Sequence, residues 1–142
     1  MRGERWYYGA YTTMDNKAKQ PTILLIEDDK DQILLYQTKF ELSGYNFIAA
    51  ENGSKGLELA EKEQPDMILI DLLMAGMGGL EVLEKLKQNP KTKNIPAVIV
   101  TNLDKKDLAK RAFALGAADF IVKSTVPLRE MMVRVGSLLK KK

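Results

Sequence analysis

Five polar residues, each next to the end of an apolar run, could together act on a phosphoryl group. Glu27 and Asp28 follow the first run, Asp71 follows another, and two more runs end on Thr101 and Lys123. Carboxylates that meet in one pocket raise one another's pKa unless a hard divalent cation and an ammonium group share the site. Such oxygen ligands suit Mg²⁺, which commonly takes one or two carboxylates together with a substrate phosphate. Asp71 is the candidate nucleophile for a phosphoryl group, and Thr101 and Lys123 are the candidate partners of the phosphate.

These residues can meet only if the apolar runs are strands of one sheet. Residues 67–70 are too few for a helix and apolar throughout, which is typical of a strand buried on both faces. Five such runs alternate with five helical patterns, an order that predicts crossover connections and a parallel sheet. The predicted strands are 22–26, 45–50, 67–70, 95–100 and 118–122, and the predicted helices are 30–43, 54–62, 80–88, 104–115 and 126–139.

This alternation predicts an α/β fold, a three-layer α/β/α sandwich around a five-stranded parallel sheet. A closed eight-fold barrel needs about twice the length of the patterned region, so we expect the flavodoxin-like strand order 2-1-3-4-5. In that order the first and third strands are neighbours, and Glu27, Asp28 and Asp71 converge at the switch point, where open sheets bind ligands. For the first helix, the spacing predicts an inner face of Ile33, Leu34, Phe40 and Leu42.

Composition excludes several classes of protein. The sequence has no cysteine and no histidine, which excludes disulfides, thiolate metal sites, imidazole bases and histidine-ligated zinc. The net charge of +3 is small, and we expect the lysines at 140–142 to be solvated rather than to bind nucleic acid. No apolar stretch is long enough for a membrane span, and residues 1–20 lack the apolar core of a secretory signal. We therefore expect a cytoplasmic protein that does not bind membranes.

The chain divides into one domain and two ends. Residues 1–20 lack helical or strand periodicity, so we expect a disordered N-terminal extension there. The domain is predicted over 21–140, and 141–142 form a basic tail.

Four stretches resemble one known family. They are ILLIEDD at 23–29, PDMILIDLLMAGMGGLEVL at 65–83, VIVT at 98–101 and GAADFIVK at 116–123. Together they resemble the receiver domain of two-component response regulators, over about residues 21–139. Because the sequence stops soon after the last predicted helix, we expect a stand-alone receiver that acts through a partner or as a phosphate relay.

The resemblance implies a phosphoacceptor and a metal site. Asp71 would be phosphorylated by a sensor histidine kinase or a phosphotransfer protein. Asp28, Asp71 and the backbone carbonyl of Leu73 would bind Mg²⁺ directly, and Glu27 would act mainly through water. We expect no turnover of a separate substrate, only self-catalysed phosphoryl transfer to Asp71 and slow autodephosphorylation, in which water hydrolyses the aspartyl phosphate to aspartate and inorganic phosphate.

The resemblance also implies a switch. Thr101 and Lys123 match the family's phosphate-sensing pair, and Phe120 matches its switch aromatic. Phosphate on Asp71 would draw Thr101 inward, let Phe120 turn in, and repack the face formed by 104–139. We expect that face to control a downstream protein, and it is also a candidate homodimer interface.

Several positions depart from the family's usual residues. Such domains usually carry proline, aspartate, a small apolar residue and proline where this sequence has Ala75, Gly78, Asn102 and Ser124. The residues two beyond Asp71 and two beyond Thr101 are Leu73 and Leu103, whose hydrocarbon side chains cannot align an attacking water. We therefore expect slow self-dephosphorylation.

Other interpretations remain open from the sequence. Taken singly, Glu27, Asp28 and Asp29 could simply begin a helix. A flavin or nucleotide module of the same fold would need a glycine- or hydroxyl-rich first loop, whereas this loop is acidic. A hydrolase with an aspartyl nucleophile resembles a DxD arrangement, but Leu73 stands at its second position. An interaction domain that works without phosphorylation is the main alternative.

Overall fold

The computed structural model describes residues 20–140 of the chain. The extension predicted for 1–20 lies outside these residues apart from Gln20, and the basic tail at 141–142 lies outside them as well. Both therefore remain predictions.

Within residues 20–140, five strands alternate with five helices. The strands are β1 (Thr22–Ile26), β2 (Asn46–Ala50), β3 (Met67–Ile70), β4 (Ala97–Thr101) and β5 (Asp119–Val122). The helices are α1 (Lys30–Leu42), α2 (Gly53–Glu63), α3 (Gly79–Gln88), α4 (Lys106–Ala114) and α5 (Leu128–Lys140). All neighbouring strands are parallel, in the order β2-β1-β3-β4-β5, which confirms the predicted flavodoxin-like topology.

The sheet is covered by helices on both faces, and the central strands are apolar on both sides for this reason. On β3, Ile68 and Ile70 pack with side chains of α2, α3 and α4, whereas Met67 and Leu69 pack with those of α1 and α5. All four side chains are fully buried. The three-layer α/β/α sandwich is thus confirmed, and every strand leaves its core at the same edge of the sheet.

The inner face predicted for α1 is partly wrong. Leu34 and Leu42 are 62% and 81% exposed, whereas Tyr36 and Phe40 are buried against the sheet. Because residues three and four apart lie on one side of a helix, the inner stripe runs through Ile33, Tyr36 and Phe40. Leu34 and Leu42 lie off this stripe.

The ends of several elements differ from the predicted bounds by a residue or two. For example, Asn52 caps α2 by accepting a hydrogen bond from the Lys55 backbone N–H at 2.8 Å, so that helix begins at Gly53. None of the helices within residues 20–140 has the length and apolar character needed to cross a bilayer.

Candidate functional site

The acidic residues of the first and third strands meet at the carboxyl edge of the sheet. Ile26 and Ile70 are paired in the β1–β3 register, so Glu27 and Asp71 follow at the same level. Glu27, Asp28 and Asp71 each offer a carboxylate oxygen, and these oxygens lie within 4.8 Å of one another. Residues far apart in the sequence therefore form one acidic cluster, at the switch point where the sequence placed it.

The three carboxylates have different surroundings. Glu27 and Asp71 are buried, with 2% and 9% exposure, whereas Asp28 is exposed. The Ala75 backbone N–H donates to Asp28 Oδ2 at 3.2 Å, and a proline at position 75 would have no N–H to offer. The departure at Ala75 thus gives Asp28 a partner from the loop between β3 and α3.

Asp29, the third acid of the first loop, has a structural role. Its Oδ1 accepts hydrogen bonds from the backbone N–H groups of Asp31 at 2.9 Å and Gln32 at 3.3 Å, which makes it the N-cap of α1. Its own N–H donates to Glu27 Oε2 at 3.2 Å. The helix-cap interpretation therefore holds for Asp29 and not for Glu27 or Asp28.

Lys123 reaches the cluster from the end of β5. Its Nζ lies 3.0 Å from Glu27 Oε1, and both side chains are largely buried. This ion pair compensates one of the buried charges, as a carboxylate inside a protein requires. The Lys123 N–H also donates to the Thr101 carbonyl at 2.7 Å, which ties the ends of β4 and β5 together.

Thr101 and Phe120 lie on the same side of the sheet. Thr101 is fully buried at the end of β4, and its Oγ1 accepts a hydrogen bond from the Leu103 N–H at 3.2 Å. Phe120 pairs in register with Ile99, two residues before Thr101, and residues two apart on a strand share a face. Phe120 is half-buried and packs against the core on the α2–α4 side. The hydroxyl and the aromatic ring therefore border the same layer of helices.

The cluster raises the pKa of Asp71 from its usual value of 3.8 to about 6. Burial is the largest cause, and the charge of Lys123 opposes it. The charge of Glu27 and a hydrogen bond with Glu27 raise this pKa further, while a hydrogen bond with the Leu73 backbone lowers it. Asp71 is ionised at neutral pH, but its charge is poorly solvated, so a cation brought to the cluster would stabilise it.

The donor set fits a hard divalent cation. Glu27, Asp28 and Asp71 supply only oxygen atoms, and no nitrogen or sulfur ligand occurs in this group. Leu73 lies two residues after Asp71 and is 59% exposed. Its carbonyl as a fourth ligand remains a prediction.

Sequence reasoning missed two neighbours of Lys123. Gln32 Oε1 lies 3.5 Å from Lys123 Nζ, and the Tyr36 ring centroid lies 5.8 Å from it. Burial raises the pKa of Tyr36 to about 12, and the charges of Glu27 and Asp71 add to this effect, so its phenol stays neutral. The spacing of four residues in the first turns of α1 was the available signal, because it puts both side chains on one face beside the acidic loop.

The structure also places the other three residues that depart from the family's usual ones. Gly78 is the N-cap of α3 and offers no side-chain cap. Ser124 is exposed, and no cis peptide bond occurs within residues 20–140. Asn102 is exposed beside Lys123.

Fold and site together define a class: a flavodoxin-like α/β domain with a carboxylate cluster and a buried lysine at its switch point. Within that class the chain belongs to the response regulator receiver domain family, which residues 23–135 match. It is therefore a receiver domain of two-component signalling. Receiver domains interact with histidine kinases or phosphotransfer proteins and bind Mg²⁺ at an acidic pocket, and Glu27, Asp28 and Asp71 form such an acidic group here.

Known proteins of this family resemble the chain along most of its length. Response regulator PleD of Caulobacter vibrioides is 36% identical over 118 residues, which are 82% of this chain and 25% of PleD. Protein PilH of Pseudomonas aeruginosa is 32% identical over 101 residues, 71% of this chain and 84% of PilH. The crystal structure of the Mn(2+)-bound form of response regulator Rcp1 superposes with a TM-score of 0.70 at 28% identity, covering 83% of this chain and 91% of that one. Several curated relatives are longer, and the chain spans 25% to 50% of PleD and of two transcriptional regulators that it also matches.

Proposed function

We propose that this receiver domain is a phosphorylation-controlled switch whose phosphoacceptor is Asp71. The observation that carries the proposal is the group of carboxylate oxygens from Glu27, Asp28 and Asp71, all within 4.8 Å of one another, with the Lys123 ammonium 3.0 Å from Glu27. A divalent cation together with a phosphoryl group would engage all of these groups, because the carboxylates bind the cation and the ammonium binds phosphate oxygens.

The proposed donor is the phosphohistidine of a sensor histidine kinase or of a phosphotransfer protein. A carboxylate oxygen of Asp71 attacks the phosphorus, the phosphorus–nitrogen bond breaks, and its electron pair stays on the imidazole. The product is an aspartyl phosphate at position 71. Asp71 is suited to this role because its pKa of about 6 leaves it ionised at neutral pH.

Mg²⁺ would be held by Asp28, Asp71 and the Leu73 carbonyl, with Glu27 acting mainly through water, and would neutralise charge on the phosphoryl oxygens. The oxygen-only donor set supports this ion, and so does the Mn(2+)-bound form of the related Rcp1. Lys123 then supplies the remaining positive charge, and the Thr101 hydroxyl donates a hydrogen bond to the phosphate.

The proposed output is the face built by α4, β5 and α5. Thr101 and Phe120 border the same layer of helices, so a change at Thr101 can open or fill space for the ring. A downstream protein would bind this face differently in the two states, since a ligand shifts an equilibrium only through differential contacts. This role requires no turnover of a substrate other than the phosphodonor.

Transfer of labelled phosphate tests the proposal. The protein is incubated with a small-molecule phosphodonor, with Mg²⁺ or with a chelator, alongside Asp71→Asn and Asp104→Asn. Asp104 is an exposed carboxylate in the loop before α4 and serves as the matched control. We expect Mg²⁺-dependent labelling of the parent protein and of Asp104→Asn, and none of Asp71→Asn. Labelling that survives in Asp71→Asn would refute the assignment.

A further inference from the structure

The ammonium group of Lys123 is held on the side of α1. Its Nζ contacts Glu27 Oε1 at 3.0 Å and Gln32 Oε1 at 3.5 Å, and lies 5.8 Å from the centroid of the Tyr36 ring. Within residues 20–140, no hydrogen bond or ion pair joins Lys123 to Asp71. The direct contacts of the Lys123 ammonium are therefore with α1 and with the acid that follows β1, and it acts on Asp71 only through its charge.

The two α1 residues form one feature. Gln32 and Tyr36 are four residues apart, so their side chains stand one turn above the other on the same helix face. Tyr36 is 3% exposed and fixed in the core, which leaves its ring little freedom to follow the lysine. A cation over an aromatic face is stabilised by the ring, more strongly where water is excluded.

The lysine also has room beside it. A cavity of about 250 Å³ is lined by Gln32, Tyr36 and Lys123 together with Asn102 and apolar residues of α5 and the loop before it. None of the three acids of the cluster lines this cavity, whereas Lys123 both lines it and contacts Glu27. The Lys123 side chain is therefore not closely packed on this side.

We infer, on the basis of the proposed function, that Gln32 and Tyr36 are positioning residues that hold Lys123 in a resting place beside Glu27. An aspartyl phosphate at position 71 recruits the ammonium group, and the contacts with Gln32 and Tyr36 are given up. Contacts present only in the resting state favour that state, so the pair opposes capture of a phosphoryl group. Loss of the ring contact alone should shift the equilibrium roughly two- to fivefold.

Binding of beryllium fluoride with Mg²⁺ tests this inference, since the complex imitates the phosphorylated aspartate. We expect Tyr36→Leu to bind it roughly two- to fivefold more tightly than the parent protein. Tyr36→Phe keeps the ring and should bind like the parent. Gln32→Met keeps the length of the side chain, removes the acceptor and should also bind more tightly.

Phe40→Leu is the matched structural control. Phe40 lies one turn further along the same face of α1, is fully buried, and contacts Tyr45 and Phe47 rather than Lys123. Its loss should destabilise the fold without tightening beryllium fluoride binding. Equal or weaker binding by Tyr36→Leu, or the same change in Phe40→Leu, would overturn the inference.

A spectroscopic readout follows the lysine directly. The side-chain protons of Lys123 near its ammonium should be shifted upfield by the Tyr36 ring in the parent and in Tyr36→Phe, and not in Tyr36→Leu. Beryllium fluoride with Mg²⁺ should remove this shift in the parent protein. A shift that persists in the bound state would overturn the inference. Failure of the parent protein to bind beryllium fluoride at all would instead refute the proposed function, and this inference with it.

Discussion

Asp71 is the residue at which opposing requirements meet. Its carboxylate must be ionised to act as a nucleophile, yet it lies 9% exposed at the end of a strand buried on both faces. Burial and the nearby Glu27 therefore raise its pKa to about 6. The charge of Lys123, which is paired with Glu27, lowers this pKa only in part. The ionised Asp71 carboxylate therefore destabilises the fold on its own, and a cation bound by the cluster would stabilise it.

The stability of the domain should depend on pH through the ionisation of Asp71. Because the folded-state pKa of Asp71 lies above its usual 3.8, ionisation of this carboxylate destabilises the fold progressively as the pH rises from 3.8 to about 6. The penalty is complete above about pH 6 and disappears below pH 3.8. In a chelator at pH 7.5, Asp71→Asn should raise the free energy of unfolding by on the order of 2–3 kcal/mol. Near pH 4 the gain should be close to zero.

Urea unfolding of the two proteins at both pH values measures this difference. Asp104→Asn, which replaces an exposed carboxylate, should show little difference at either pH. Added Mg²⁺ should reduce the difference in the free energy of unfolding at pH 7.5, because it stabilises the parent protein alone. An equal difference in the free energy of unfolding at both pH values would contradict a raised pKa of the buried Asp71 carboxylate.

The aspartyl phosphate at position 71 should be hydrolysed slowly. Leu73, two residues after Asp71, is 59% exposed, and its hydrocarbon side chain can neither orient nor deprotonate a water molecule. Leu73→Asn should therefore lose labelled phosphate severalfold faster after the donor is removed. Leu42→Asn is the control, because Leu42 is 81% exposed at the far end of α1. Equal or faster decay in the parent than in Leu73→Asn would show that Leu73 does not slow hydrolysis.

At the scale of elements, the N-terminus of α3 lacks a side-chain cap, and a substitution there can stabilise the helix. Gly78 is its N-cap in extended backbone geometry, with no side-chain cap, and a Cβ there would meet only the Leu72 carbonyl oxygen at 3.8 Å. Gly78→Asp should stabilise the fold by about 1 kcal/mol, because aspartate caps the helix, complements its dipole and restricts the unfolded chain. Thermal unfolding should show a melting temperature higher by roughly 3–5 °C.

Gly79→Ala is the matched control for this cap. A Cβ at Gly79 would collide with the backbone carbonyl oxygen of Asp71, so alanine one residue later should destabilise the protein. A decrease in melting temperature for Gly78→Asp would contradict the description of the α3 N-terminus.

Most elements could be predicted from the sequence, for a physical reason. The runs that end on Asp71 and Thr101 are apolar throughout and stop abruptly, so both their type and the edge at which they deliver polar groups follow from composition. The inner face of α1 could not be predicted, because leucines such as Leu34 and Leu42 lie outside its buried stripe. Packing against the sheet determines which face of α1 is buried, and the spacing of apolar residues along the helix does not reveal it.

The same limit applies to the site. The meeting of Glu27 and Asp71 follows from strand order, and the sequence alternation was sufficient to predict that order. The contacts of Lys123 with Gln32 and Tyr36 do not follow from strand order, because both residues reach the lysine only through the packing of α1. The hydrogen bond from Ala75 to Asp28 likewise depends on the loop conformation.

At the scale of the whole molecule, the helices differ in how firmly they are anchored. α4 completely buries one residue, Ala112, whereas α3 buries Gly79, Val82, Leu83 and Leu86. Elements with few buried anchors are those that open and shift most easily. In contrast, a bidentate pair of Arg134 with Asp119, with two contacts of 2.9 Å, ties α5 to β5. We therefore expect the switch to act mainly on α4 and the loop before it.

Hydrogen exchange with and without beryllium fluoride and Mg²⁺ tests this expectation. The largest change in protection should fall on residues 101–114, and α2 should change little. Asp71→Asn should show no change under the same conditions. Changes confined to α2, or equal changes throughout the domain, would contradict a switch centred on α4.

The central claim is that Asp71 carries the phosphoryl group, and mapping of the modified residue tests it most directly. Borohydride reduction of an aspartyl phosphate converts that aspartate to homoserine, which peptide sequencing by mass spectrometry locates. After treatment with a phosphodonor and Mg²⁺, we expect homoserine at position 71, and none when a chelator replaces Mg²⁺. Homoserine at another aspartate, or an unmodified Asp71 in the presence of donor and Mg²⁺, would contradict this claim.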